Sequence, residues 1–127
     1  MDIAIAIRIG SPESTLKLVR DSIESIQSNI GKCSYRFILS PDPSIPKDIK
    51  DYLATKKETN PNNFEIFDEE NIYWADFINR AIQSAKDSEY LLIAHDDVIL
   101  ITPNFFPEVK KILTSLKDLP AGYLLYS

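Results

Sequence analysis

A run of five apolar residues, Tyr90-Leu91-Leu92-Ile93-Ala94, leads directly into the tetrad His95-Asp96-Asp97-Val98. Because the run has no polar face, it predicts a central strand covered on both sides, as in a parallel sheet with helices above and below. Ligands of such sheets bind outside the carboxyl ends of the strands. Two adjacent carboxylates repel each other and resist desolvation, and a divalent cation would stabilise them. The tetrad is therefore a candidate metal site.

Strands and helices alternate along the rest of the chain. Runs rich in β-branched or aromatic residues predict strands, and apolar residues spaced three and four apart predict helices. The predicted elements are the strand Ile3–Ile9, a helix from Pro12 to Ile30, the strand Tyr35–Leu39, a helix from Lys47 to Lys57, the strand Phe64–Phe67, a helix from Trp74 to Lys86, the strand before the tetrad, a helix from Pro103 and a strand Tyr123–Tyr126. Such repeated units predict one α/β domain, a Rossmann-like three-layer sandwich with a mainly parallel central sheet and helices on both faces.

Two connections have unusual sequences. Gly10-Ser11-Pro12-Glu13 supplies a turn, a serine suited to cap a helix and a proline at the first helical position. Ser40-Pro41-Asp42-Pro43-Ser44-Ile45-Pro46 contains three prolines, which predict a rigid loop without regular strand pairing. The second connection is the least ordinary one in the chain.

Composition limits the class of partner. The chain has 127 residues, a formal net charge of -5 and a single cysteine, Cys33. The charge argues against nucleic acid or an anionic membrane as the main partner, because both attract clustered Lys and Arg. One cysteine excludes an internal disulfide and fits a reducing compartment. The apolar stretch Ile3–Ile9 is too short for a membrane segment and contains Arg8, so we expect a cytoplasmic protein or the soluble part of one anchored elsewhere.

Several common kinds of site are excluded by missing motifs. Gly10 stands alone after the first strand among only three glycines, so neither the dinucleotide fingerprint nor the Walker phosphate loop is present. The first strand does not end in the acids of a receiver-type phosphoacceptor, and no G-x-S-x-G nucleophile elbow occurs. A thiolate zinc site needs more cysteines. The remaining chemical centre is His95-Asp96-Asp97.

An ordered series of residues connects the helix before the tetrad with the helix after it. Its members are Asn79, Ala85, Glu89, Tyr90, Asp97 and Pro103, together with Leu16, Ser22 and Asp42 nearer the N-terminus. In order, and nearly in spacing, the series resembles family 2 glycosyltransferases of the GT-A fold, which have an Ala-Arg-Asn helix, a Glu-Tyr approach, an apolar strand, a D-x-D metal motif and a helix-opening proline. The similarity covers nearly all of this chain but only the donor-binding half of a typical family member. It therefore implies one GT-A-like nucleotide-sugar-binding domain over residues 1–127, incomplete at its C-terminus.

The resemblance implies a glycosyltransferase that uses a nucleotide-diphospho-sugar donor, a UDP- or GDP-sugar. It assigns Mn or Mg to Asp97 and His95, and it assigns the nucleotide to Ile9, Ser11, Asp42, Asn79 and Asp96. The metal would neutralise the charge that develops on the leaving diphosphate. An inverting enzyme also needs a carboxylate base, which in this family lies beyond the region present here. The catalytic residue and the acceptor, whether glycan, lipid or protein, therefore stay open.

The sequence departs from the family pattern at five places, two of which are the single acid Asp42 in place of a double acid and an extra residue at Lys86-Asp87. The other three are single substitutions. His95 stands at the first acid of the D-x-D motif, and imidazole is a fair ligand for Mn but a poorer one for Mg. Ile78 replaces the arginine that precedes Asn79, which removes an expected contact to the diphosphate. Arg8 replaces a common proline in the first strand. These departures affect the chemistry of the site and not the fold.

Each candidate residue also has a structural alternative. Asp96 and Asp97 fit a solvated loop or a helix cap, and His95 fits a hydrogen-bonded structural histidine. Asp42 fits a turn and Asn79 a local cap. The alternative functions are a non-catalytic α/β module that binds a nucleotide sugar or a protein, and a nucleotidyltransferase on the same fold. The latter is disfavoured because a glycine-rich arginine loop after the first strand is missing.

Overall fold

The computed structural model describes residues 1–10, 13–67 and 73–115, which form alternating strands and helices. The elements are β1 (Ile3–Ile9), α1 (Leu16–Ser28), β2 (Tyr35–Pro41), α2 (Lys47–Thr59), β3 (Phe64–Ile66), α3 (Trp74–Ser84), β4 (Tyr90–His95) and α4 (Phe105–Ser115). Ser11, Pro12 and the predicted strand Tyr123–Tyr126 lie outside the described residues. None of the described helices has the length and apolar character needed to cross a membrane.

β1 lies inside the sheet. The strand order is β3-β2-β1-β4, and every neighbouring pair is parallel. Ile7 of β1 is in register with Leu39 of β2 and with Ala94 of β4. Nearly every side chain of β1 is buried, because helices cover both faces of the sheet. The predicted α/β class, with a parallel sheet between two helical layers, is confirmed.

The two faces of the sheet have different cores. On the face that we call the α1 face, side chains from α1, α2 and α4 cover the sheet, among them Ile5, Ile7, Val19, Ile23, Ile49, Leu53 and Phe106. On the opposite face, the α3 face, the buried set is Ala4, Ala6, Ile38, Phe77, Ala81 and Ala85. Burying one large apolar side chain contributes about 1.5–3 kcal/mol, so the α1 face supplies most of the stability. The helical spacing of the apolar residues in α3 predicts a single buried face made of Trp74, Phe77, Ile78, Ala81, Ile82 and Ala85. In the structure, Trp74 and Ile82 stay 44% and 52% exposed.

β4 lies at the edge of the described sheet, and the prediction of a central strand is wrong for these residues. Among the described strands it pairs with β1 alone. Ile93 is 37% exposed, and Ala94 is the one buried residue of the strand. A short apolar run indicates that side chains are shielded, but it does not indicate how many strands lie beside it.

α1 begins later than predicted. Its N-cap is Thr15, whose hydroxyl accepts a hydrogen bond from the Leu18 N–H at 3.2 Å, and Leu16 is the first helical residue. The predicted start at Pro12 after a Ser11 cap is therefore wrong. Among the described residues, Leu16 is the first after β1 whose side chain packs on the α1-face core, so Glu13 and Ser14 would add no contact to that core by joining the helix. Ser14 consequently lies in the loop that follows β1.

β2 extends into the predicted proline loop as far as Pro41, which is in register with Ile9. The next backbone N–H, that of Asp42, donates to the Ile9 carbonyl at 2.7 Å. The predicted absence of pairing is wrong for Ser40 and Pro41, because proline is compatible with a sheet where its N–H is not required. Asp42 is thereby held beside the end of β1.

Candidate functional site

The strand order reverses between β1 and β4. The chain runs from β1 outward through β2 to β3 and then crosses to β4 on the other side of β1. In open parallel sheets, ligands bind outside the carboxyl ends of the strands at such a reversal. At this edge, Gly10 follows β1, Asp42 follows β2, and Asp96 and Asp97 follow β4. We call these four residues the carboxyl-edge site.

Gly10 is the residue on which the site is built. Its φ of 145° lies in the region that L side chains rarely adopt. A Cβ on this residue would lie 2.3 Å from Cβ of Asp42. The Gly10 N–H also donates to Oδ2 of Asp96 at 3.3 Å. The glycine therefore allows side chains from the ends of β2 and β4 to approach the same point of the β1 loop.

Asp96 links the loop after β1 to the end of β4. Its side chain is only 8% exposed, and its Oδ2 accepts from the Gly10 N–H and from the Ser14 hydroxyl. A buried carboxylate is costly unless it is hydrogen-bonded, and these donors offset the cost. The sequence predicted a contact between Asp96 and the nucleotide. The structure places Asp96 at the predicted edge of the sheet, where its Oδ2 accepts hydrogen bonds from Gly10 and Ser14.

Asp42 combines a turn with a position at the site. The Ser44 hydroxyl and N–H donate to Oδ1 of Asp42 at 2.6 and 2.9 Å. These two hydrogen bonds, the hydroxyl first, lower the pKa of Asp42, and the nearby Arg8 lowers it further. The Asp42 carbonyl also accepts from the Ile45 N–H at 3.1 Å. Asp42 is thus a turn residue, as its structural alternative predicts, and it also lies beside Gly10 at the candidate site.

The segment after Asp97 is attached to α1. The Leu100 N–H donates to Oγ of Ser25 at 2.9 Å, and Nδ2 of Asn29 donates to the Leu100 carbonyl at 2.8 Å. These bonds lie three residues beyond Asp97, whose side chain stays exposed. The backbone that carries the carboxylate is therefore anchored while the carboxylate remains accessible to a ligand.

His95 lies on the α3 face, away from the donors that hold Asp96. Its imidazole stacks on the indole of Trp74, with ring centroids 5.8 Å apart and an interplanar angle of 10°. Because successive side chains of a strand point to opposite faces, His95 shares its face with Leu91, which packs on the α3-face core. The contact of the His95 side chain seen in the described part of the chain is therefore this ring stack.

The donor set for a metal ion is incomplete within the described residues. They contain no group of three His, Cys, Asp or Glu side chains placed to hold an ion. Mg is commonly held by one or two carboxylates together with the phosphates of its substrate. The exposed carboxylate of Asp97 fits that kind of binding. A metal held jointly by the protein and a diphosphate is therefore compatible with Asp97.

The other predicted nucleotide-binding residues are dispersed. The side chain of Ile9 is buried in the α1-face core, so only its carbonyl reaches the edge, where it accepts from Asp42. Ser11 lies outside the described residues. Asn79 is exposed midway along α3 and lines an open groove of about 600 Å³ with Glu65. No member of the carboxyl-edge site lines that groove.

Three residues near the site were not predicted from the sequence. Ser14 was missed because the start of α1 was placed too early. Arg8 did carry a signal, because a charged residue inside an apolar strand is costly unless it has a partner or a function. Trp74 was assigned to the buried face of a helix, and nothing in the spacing indicated its stack on His95.

Comparisons with protein-family models and with curated proteins find no match to this chain. The function of this chain is therefore inferred from the geometry of the carboxyl edge and from the resemblance of individual residues.

Proposed function

We propose that this chain is the donor-binding domain of a glycosyltransferase, similar to family 2 enzymes of the GT-A fold, and that it takes a UDP- or GDP-sugar. One observation carries the proposal: Asp42 and Asp96 both contact Gly10 at the point where the strand order reverses. Carboxylates at this place in a nucleotide-binding sheet accept hydrogen bonds from ribose hydroxyls. We further propose a cytoplasmic location, since a single cysteine fits a reducing compartment.

The residues of the site have different roles in this proposal. Asp42, held in its turn by Ser44, binds the nucleoside. Asp96 fixes the β1 loop through Oδ2 and accepts from the ribose or the sugar through Oδ1. Asp97 holds Mn or Mg, which when bound would neutralise charge on the leaving diphosphate. The acceptor, a glycan, lipid or protein, would bind beyond these residues.

A second candidate function is a non-catalytic module that binds a nucleotide sugar. The described residues favour it, because they contain no group of three His, Cys, Asp or Glu side chains placed to hold an ion. Such a module would use Asp42 and Asp96 for the nucleotide, and its affinity would not depend on a divalent cation. Metal dependence therefore separates the two candidates.

Titration calorimetry with UDP, GDP and their sugars, in Mn and in EDTA, tests the proposal. We expect at least one nucleotide to bind in Mn, and we expect Asp97→Ala to weaken that binding by about tenfold or more, as for loss of a contact to a charged group. The matched control is Asp87→Ala, which removes an exposed aspartate from the turn before β4 and should leave the affinity unchanged.

Two other outcomes decide against the leading proposal. Equal affinities in Mn and in EDTA, with no effect of Asp97→Ala, would favour the non-catalytic module. Absence of binding by every nucleotide in Mn would reject both candidates.

A further inference from the structure

A row of polar residues crosses the α3 face next to the carboxyl-edge site. Arg8 of β1 is in register with Ser40 of β2 and with His95 of β4. Neighbouring strands are about 4.8 Å apart, so residues in register on one face lie side by side. Arg8 alternates with Ala4 and Ala6, which pack on the α3-face core, so it belongs to that face.

The guanidinium of Arg8 is loosely held. Its Nη2 lies 3.9 Å from Oδ2 of Asp42, and the two side chains are 30% and 28% exposed. An ion pair that is this long and this accessible contributes little to stability. Asp42 is instead fixed through its other oxygen by Ser44. Within the described ranges the guanidinium has no hydrogen bond, so its donors are available to a ligand.

The imidazole of His95 is positioned by Trp74, which itself packs on a buried residue. Trp74, on which it stacks, also contacts Phe77 with ring centroids 5.5 Å apart, and Phe77 is fully buried. His95 itself is exposed. A side chain that is already positioned loses less conformational entropy when it binds a ligand. The imidazole is thus a pre-positioned N–H donor next to Arg8.

The negative charge of the carboxyl-edge site makes a neighbouring cation necessary if the site is to bind an anionic ligand. Asp42, Asp96 and Asp97 bring three carboxyl groups to one edge, and they repel an anionic ligand. Arg8 lies at the same edge, and its planar fork of donors matches the oxygens of a phosphate group. The anionic part of a ligand is therefore expected on the Arg8 side and its neutral polar part on the Asp96 side.

We propose that Arg8 and His95 form an anion subsite on the α3 face of the carboxyl edge, and that it takes the diphosphate of the nucleotide ligand. The naming of the diphosphate rests on the proposed function, whereas the subsite itself rests on the two strands and their register. Trp74 is a positioning residue, because it acts through His95. On binding, Arg8 exchanges the carboxylate of Asp42 for phosphate oxygens.

Inorganic pyrophosphate is the probe, titrated by calorimetry at low salt in EDTA so that a metal on Asp97 does not contribute. We expect the wild-type protein to bind it and Arg8→Gln to bind about tenfold more weakly, as for a lost hydrogen bond to a charged group. Arg8→Lys keeps the charge but not the planar fork of donors, so its affinity for pyrophosphate should lie between those of the wild type and Arg8→Gln. The matched control is Arg20→Gln, because Arg20 forms a pair with Asp21 at the same 3.9 Å but lies on α1.

Two further variants test the subsite without removing Arg8. Asp42→Asn removes the carboxylate that competes for the guanidinium, so it should strengthen pyrophosphate binding by about threefold. Trp74→Leu should weaken pyrophosphate binding in the wild-type background and have no effect in a His95→Ala background, as expected for a positioning residue.

Wild-type protein that does not bind pyrophosphate, or an Arg8→Gln variant that binds it equally well, overturns the subsite. If UDP or GDP still binds with dependence on Asp97, the proposed function survives that result. Conversely, Arg8-dependent binding of pyrophosphate by a protein that binds neither UDP nor GDP supports the subsite and rejects the proposed function.

Discussion

The two ends of the parallel sheet compensate charge in different ways. At the amino end, Nζ of Lys110 lies 3.3 Å from Oδ1 of Asp2 and 3.1 Å from Oε2 of Glu89. Hydrogen bonds to Glu89 and then to Asp2 raise the pKa of Lys110. These three residues satisfy one another, and they connect α4 to the strands without any ligand.

At the carboxyl end, the described residues include three acids, Asp42, Asp96 and Asp97, and one arginine, Arg8, beside them. Asp96 is compensated by the neutral donors Gly10 and Ser14, and Asp97 is exposed. An open cavity of about 650 Å³ lies at the amino end beside Cys33, so the presence of a cavity does not by itself mark the end that binds a ligand. Incomplete charge compensation, and not cavity volume, distinguishes the end that is suited to bind a charged ligand.

The largest effect is expected for Gly10→Ala. The new Cβ would overlap Asp42 and the backbone would keep an unfavourable φ, which together cost about 3 kcal/mol of unfolding free energy. Urea unfolding measures the loss, and calorimetry should show that nucleotide binding is lost with it.

Gly31→Ala is the counterpart at the amino end. Gly31 has a φ of 73°, and a Cβ there would lie 2.8 Å from Cγ of Pro107. We expect a loss of about 1–2 kcal/mol in stability from the left-handed backbone and the contact, with nucleotide affinity retained. If both variants lost affinity equally, the distinction between the two ends would not hold.

Removal of the Asp96 carboxylate should have the next largest effect. Asp96→Ala removes the buried carboxylate that accepts from the Gly10 N–H and the Ser14 hydroxyl, and the loss of these hydrogen bonds costs about 2 kcal/mol. Asp96→Asn keeps an acceptor and should cost less than half as much. Urea unfolding of both variants, with Asp97→Asn as the exposed control, checks this order; equal losses at positions 96 and 97 would contradict it.

The ring stack at the carboxyl end makes a smaller contribution. Trp74→Leu removes the contacts to His95 and Phe77 and should cost about 1 kcal/mol. Proton NMR should show the His95 ring signals moving toward random-coil shifts. Tyr73→Leu, at a neighbouring side chain that is 77% exposed, is the control, and ring signals that stay unchanged in Trp74→Leu would argue against the stack.

Acid titration should give the smallest effect. The pKa of Asp2 is lowered, first by the Ser34 N–H and then by Lys110, and that of Asp42 is lowered first by the Ser44 hydroxyl. A lowered folded-state pKa gives stability that is present above the unfolded-state pKa of about 3.9 and is lost as the pH falls through the folded-state value.

Wild-type protein loses unfolding free energy as the pH falls, and we expect Asp2→Asn and Asp42→Asn each to reduce that loss. The reduction should be less than about 0.5 kcal/mol, because both sites are accessible to solvent. Added salt should reduce the Asp2 effect more, since a lysine is one of its leading causes. A larger salt effect at Asp42 would contradict the assignment of its pKa to Ser44.

The fold follows from local patterns in most of the chain. The β-branched residues of β1 predicted a central strand, and the spacing of Val19, Ile23 and Ile26 predicted the helix α1 and its buried face. The edge position of β4 was not predictable, because an apolar run does not reveal whether strands lie on one side or both. The start of α1 was missed because Ser11 and Thr15 are both suitable caps, and only the packing of Leu16 decides between them.

The candidate site could be predicted in outline only. Sequence placed Asp42, Asp96 and Asp97 after strands, and the structure places them at one edge. The sequence did not show that Asp96 bonds to Gly10 whereas His95 stacks on Trp74. Neighbouring residues in a chain can have side chains that point in opposite directions, and the sequence does not reveal this. The partnership of Arg8 and His95 depends on register between strands far apart in the chain.

The most direct test of the central claim is a backbone amide NMR titration with UDP in the presence of Mg. We predict that the shift changes centre on Gly10, Asp42, Asp96 and Asp97, and that the amides of Cys33, Lys110 and Lys111 at the amino-end cavity stay unchanged. Changes that centre on Cys33, Lys110 and Lys111 would contradict the assignment of ligand binding to the carboxyl edge.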